Sequence, residues 1–182
     1  MLININKKAE ELKLKVPDLI TRHMGRAMYE TTTSAIENIN EGETLLLDFN
    51  GIKVIDSSFI DEMIVRLILD SRKSKNAFYT KLKNISEIAE INIDLVFRSY
   101  YSYKNKKIVV ITENICQNNV FFIGPLSDQE RDIVEFLRVN KSITTDDAVT
   151  FSGLPLEKVQ RMMDDLDKIR VVKAIQGAYV AV

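Results

Sequence analysis

The chain has 182 residues, 46% of them hydrophobic and 28% charged, which is ordinary for a soluble globular protein of one large or two small domains. A formal net charge of -1 gives no whole-chain attraction to nucleic acid or to an anionic membrane. One cysteine, Cys116, and one histidine, His23, exclude an internal disulfide and any Cys- or His-rich metal site, so no metal or other cofactor is expected.

The start, MLININKKAEELKLK, becomes charged within seven residues and lacks a signal-peptide pattern, and no run of eighteen apolar residues follows. A cytoplasmic protein without a membrane segment is expected. A strand is expected at 2–6 and a helix at 20–39. That helix opens on Arg22-His23-Met24-Gly25-Arg26, where Arg22 and Arg26 could clasp a carboxylate or phosphate, or nucleotide phosphates, or simply form surface ion pairs on a wet helix face. His23 by itself reads as a helical histidine and not as a general base.

The most informative stretch is 45–64, LLLDFNGIKVIDSSFIDEMI. Leu45, Leu46, Leu47 and Phe49 read as a buried strand closed by the turn Asn50-Gly51. Ile52, Val54 and Ile55 continue the extended character as far as Asp56. From there Phe59, Ile60, Met63, Ile64, Leu67 and Ile68 fall at helical spacing. Ser58 with Asp61 three residues on matches a capping box, which starts the helix at the serines. Asp56-Ser57-Ser58 is therefore either a set of helix caps, whose oxygens accept from free backbone N–H groups, or a presented polar corner together with Asp61 and Glu62. Asp61 and Glu62 are consecutive and should point in different directions, so they make no acid/base dyad.

These residues resemble the STAS fold family, the domain of anti-sigma-factor antagonists and related stress-signalling scaffolds. In that family a strand ends in an Asp-Ser-Ser corner before a helix, and the first serine is the phosphorylation site; by motif it is Ser57 here. The antagonists continue with Gly-Leu-Gly, whereas this chain has Phe59-Ile60-Asp61-Glu62, which places it nearer a divergent STAS-like branch. The resemblance, over residues 1–125, implies an α/β domain that binds a protein partner through Asp56, Ser57, Ser58, Asp61 and Glu62. By family likeness the partner would be an anti-sigma regulator or a histidine-kinase-type ATPase. A phosphate on Ser57 would add about -1.5 to -2 charge beside Asp56, Asp61 and Glu62 and so weaken binding to an acidic surface.

Further along, a strand is expected at 77–82, a helix within 86–103, and strands at 107–112 and 120–123. Alternation of strands and helices implies a sheet covered by helices, with no strand order readable. The segment 98–107, RSYYSYKNKK, interleaves rings and cations as a single-strand nucleic-acid surface does, and equally as a helix end with tyrosines over the core and lysines at the negative end of the dipole. Gly124-Pro125-Leu126-Ser127 marks a boundary between modules 1–125 and 126–182.

In the second module Ser127 and Glu130 form a capping box for a helix with Ile133, Val134, Phe136 and Leu137 inward. A short helix at 145–151 stops at Ser152-Gly153. A third begins near Leu154-Pro155 with Leu156, Val159, Met162, Met163, Leu166 and Ile169 inward, and VVKAIQGAYVAV reads as a hairpin around Gln176-Gly177. Three helices and a hairpin resemble a winged helix-turn-helix. That resemblance implies either DNA reading by Lys158, Gln160 and Arg161 at the head of the third helix or a protein interface. Eight basic against ten acidic residues from Ser127 onward make the module net -2, unfavourable for phosphate contact. Phosphate-binding, nucleophile-elbow, zinc-protease and dinucleotide motifs are all missing, so a non-enzymatic regulatory protein is expected, with a transcriptional regulator as the alternative.

Overall fold

The computed structural model describes residues 1–73, 77–113 and 122–182; Cys116 and the start of the expected strand 120–123 lie outside them. The chain divides into two compact units, Met1–Pro125 and Leu126–Val182.

In the first unit the strands β1 (Leu2–Asn4), β3 (Thr44–Asp48), β5 (Tyr79–Lys83), β6 (Val110–Glu113) and β7 (Phe122–Ile123) form a sheet in the order β1-β3-β5-β6-β7. The first three pairings are parallel and β7 closes the edge antiparallel to β6. A separate parallel pair joins β2 (Asp18–Leu19) to β4 (Val54–Ile55), so the residues just before the acidic-serine corner are tied to the segment that leads into the helix beginning at Arg22. The helices are α1 (Ile5–Glu11), α2 (Arg22–Ala35), α3 (Ser57–Phe59), a π-helical stretch Ile60–Val65, α4 (Arg66–Ser71) and α5 (Glu87–Lys104). Their apolar faces meet Leu45, Leu47 and Leu82 of the sheet in one core. The result is a mixed α/β unit with a central sheet, consistent with a STAS-like fold.

Several sequence expectations change for local reasons. The expected strand at 2–6 is cut short because the Asn4 side chain accepts from Lys7 N–H and caps α1, which buries Ile5 and Ala9 one turn apart. Leu46, in an unbroken leucine run, is only half-buried, and its sheet face also carries the Lys81–Glu113 ion pair at 2.8 Å. The helix after the corner is capped by Asp56, whose carboxylate accepts from Phe59 N–H at 2.8 Å, so the Ser58/Asp61 capping box does not form. Asp61 is drawn instead to Arg22 and Tyr100.

The second unit contains α6 (Asp128–Asn140), β8 (Ser142–Thr144), α7 (Thr145–Ser152), α8 (Leu156–Lys168), β9 (Val172–Ile175) and β10 (Ala178–Ala181). The antiparallel sheet runs β8-β10-β9, and β8 is a strand that the sequence reading did not foresee. The capping box of Ser127 and Glu130 is formed, and a second one joins Thr144 to Asp147. Ile133, Val134, Leu137, Val159, Met163 and Leu166 are buried, whereas Leu156, expected inward, is exposed at the first position of α8. Phe136 is half-buried and stacks on Phe151, centroids 4.1 Å apart. Positive φ at both Gln176 and Gly177 gives the two-residue hairpin turn whose twist suits the flanking strands.

Candidate functional site

The corner is built by the helix start. β4 ends at Ile55, Asp56 caps, and Ser57 and Ser58 occupy the first turn, where free backbone N–H groups and the positive dipole end face outward. Ser57 is exposed, Ser58 half-buried, and capping by Asp56 leaves both hydroxyls unneeded for that role. Three hydrogen bonds lash α5 alongside: Ser86 donates to Lys53 C=O at 2.6 Å, Asn92 to Ile55 C=O at 2.8 Å, and Tyr100 O–H to the Asp61 carboxylate. Between these elements lies an open groove of about 690 Å³. Ser57, Ser58, Asp61 and Arg22 contribute from one side, and Leu95, Val96, Ser99, Tyr100 and Lys104 from α5.

The π-helical stretch sets the charges of this groove. One guanidinium, that of Arg22, reaches both Asp61 and Glu62, while their other partners differ: Tyr100 of α5 for Asp61, and Arg66 and Arg26 for Glu62. π-helical turns are rare and are frequently found at functional sites. Glu62, expected on the presented surface, is turned inward: it is 8% exposed and accepts from Arg22 and, at 3.1 Å, from Arg66, with Arg26 at 3.7 Å. The anion that the two arginines of α2 clasp is thus the chain's own carboxylate. Arg22's hydrogen bond, above all, holds the Glu62 carboxyl below the usual glutamate range, with Arg66 and Arg26 adding and burial opposing. Arg66 also lies over the Tyr29 ring, 3.9 Å from its centroid, and Tyr29 donates to Asp70 at 2.6 Å.

The sequence reading placed none of the α5 members, Asn92, Leu95, Val96, Ser99, Tyr100 and Lys104, in this groove; Tyr100 and Lys104 carry its polar chemistry on that side. Burial, then the bond to Asp61, raises the Tyr100 phenol above its ordinary range, and Lys104 sits 3.7 Å over its ring. Their i, i+4 spacing within RSYYSYKNKK was the available signal, but only the fold distinguishes Tyr100 from the exposed Tyr101 and Tyr103. His23 is exposed on α2.

In the second unit Lys158 and Arg161 are exposed on the first turns of α8. Gln160 beside them is engaged: its amide donates to Asp164 at 2.9 Å and Tyr179 at 3.0 Å and accepts from Thr145 at 3.3 Å. Asp167 accepts from Ala174 N–H at 3.3 Å, which turns that carboxylate toward β9.

The α/β unit with its acidic-serine corner between strand and helix is consistent with a STAS-like fold, and the comparison with protein families supports a STAS-like domain over part of it. Residues 34–91, from the end of α2 through the corner to the first turn of α5, match the family described as STAS-like domain of unknown function (DUF4325). No curated protein and no solved structure matches the chain. Among the described residues no helix is long and apolar enough to cross a membrane.

Proposed function

We propose that the first unit is a regulatory binding module whose groove beside Ser57 receives a protein partner, and that phosphorylation of Ser57 controls this binding. The observation that carries the reading is the exposed Ser57, released from capping by Asp56, at a helix N-terminus on the rim of a polar groove. The acidic surroundings expected from sequence are largely compensated. Glu62 is neutralised by three arginines and Asp61 is held by Arg22 and Tyr100. A phosphate on Ser57 would meet the helix N-terminus and the cations Arg22 and Lys104 of the same groove, occupying the space the partner needs. An anti-sigma regulator or a kinase-like ATPase is the partner class that the STAS likeness suggests.

The test is affinity capture with wild type, Ser57→Ala and Ser57→Asp, each checked for unchanged thermal stability. A regulatory protein should be retained by wild type and Ser57→Ala and lost, by about tenfold or more in affinity, from Ser57→Asp. Equal capture by all three would remove the switch.

The order of elements in the second unit, helix, strand, two helices and a two-stranded hairpin, fits a winged helix, and we propose it as a second interaction module. A DNA-binding reading draws on the exposed Lys158 and Arg161 at the head of α8, with Asp167 drawn back onto β9. On that reading the full chain binds duplex DNA with affinity that falls steeply with salt, and the pair Lys158→Ala and Arg161→Ala weakens it while reducing the salt slope by roughly two. Binding that ignores both residues would assign α8 to protein contact.

A further inference from the structure

Helix α5 has a second apolar face that its own fold leaves open. Ala89, Ile93 and Phe97 point into the core, while on the other side Ile88, Ile91 and Leu95 are 55%, 57% and 60% exposed. Their spacing, i, i+3 and i+7, makes one stripe along the helix. The exposed charges beside it are separated along the axis, with Glu87 at the N-terminal end and Arg98 beyond Leu95. Arg98 gives its Nε–H to Asp94 at 2.6 Å, and the guanidinium fork has further donors for a second carboxylate.

We propose that a second copy of this chain docks on this face, the two α5 helices running antiparallel with Ile91 of each copy packed against Leu95 of the other. The argument is the self-complementarity of the pattern. A two-fold axis level with Ile93 brings Ile91 opposite Leu95. At a rise of about 1.5 Å per residue, Glu87 then lies about 9 Å from the axis and Arg98 of the second copy about 7.5 Å from it on the same side. The register that buries the apolar pair therefore also forms the charge pair, twice per dimer. A parallel arrangement would set Glu87 against Glu87 and Arg98 against Arg98, and would align the helix dipoles unfavourably. The contact of one helix pair is small, so the dimer is weak and concentration-dependent. Leu95 also lines the groove beside Ser57, so the two surfaces adjoin, but the dimer does not depend on the partner reading.

Sedimentation velocity of the full chain over a hundredfold range of concentration tests this. Wild type should pass from the monomer mass of 20.9 kDa toward twice that value. Leu95→Asp should remain monomeric, with circular dichroism unchanged because the residue is on the surface. Glu87→Arg and Arg98→Glu should each weaken association by about tenfold, and the variant carrying both should restore it. A wild type that stays monomeric throughout, a dimer that Leu95→Asp leaves intact, or charge reversals without rescue would each overturn the proposal.

Discussion

Gly25→Val is expected to destabilise the first unit by about 1–3 kcal/mol, because no side chain fits where α2 crosses the helix that follows the serine corner. A Cβ on Gly25 would stand 2.9 Å from the carbonyl oxygen of Phe59 and 3.0 Å from both Phe59 Cα and Glu62 Cβ. Two of these three are backbone atoms, which cannot rotate away. Alanine in place of glycine gains about 1 kcal/mol in helix propensity, which offsets part of the clash, so Gly25→Ala should be the milder variant. Valine adds a second methyl group, and its branched side chain forfeits part of that propensity gain. The consequence extends to the groove. Any separation of the two helices pulls Arg22 from Asp61 and Glu62, so under the proposed binding role the valine variant should also weaken partner capture. Thermal unfolding followed by circular dichroism measures the first effect; a melting temperature equal to wild type would show that the helices can part at no cost.

Gly25 also shows where sequence reading stopped. The position was visible only as the centre of Arg22-His23-Met24-Gly25-Arg26, where attention falls on the charges. Its close approach to Phe59 is a contact between segments more than thirty residues apart, and no local period encodes it. By contrast, Phe59, Ile60, Met63, Ile64, Leu67 and Ile68 were legible as a buried face because helical spacing is local, and all six are buried. The capping box at Ser127 and Glu130 was legible for the same reason. At the corner two local signals competed. Asp56 and Ser58 are both good caps, and Asp56 prevails because the chain is already extended there, with φ -92° and ψ 170°. Asp61 is then free for Arg22 and Tyr100. The inward turn of Glu62 had no local signature, since a glutamate that follows Asp61 at the head of a helix reads as wet until three arginines are found around it.

That cluster gives the second large effect. Replacing Glu62 by glutamine keeps the shape of the side chain and one acceptor oxygen but removes the charge that Arg22, Arg26 and Arg66 share. Near neutral pH the loss should be about 1–3 kcal/mol, the range for a buried partner removed from a charged hydrogen bond. The pH dependence fixes the cause. The carboxyl of Glu62 titrates lower in the folded protein than an ordinary glutamate, mainly through the Arg22 hydrogen bond. Its contribution is therefore fully present above the unfolded value of about 4.3 and is lost as pH falls through the depressed folded value. Urea unfolding, which leaves ion pairs unscreened where guanidinium chloride would not, should give a clear gap between wild type and Glu62→Gln at pH 7. The two curves should converge in acid, because wild type then loses what the variant already lacks. A gap that persists in acid once the carboxyl is protonated would assign the effect to packing around the π-helical stretch instead of to the carboxylate charge. Convergence would make Glu62 the fixed anion that aligns Arg22 at the groove rim, and with it the means by which a rare helical turn, a glycine crossing and a serine corner act on one surface.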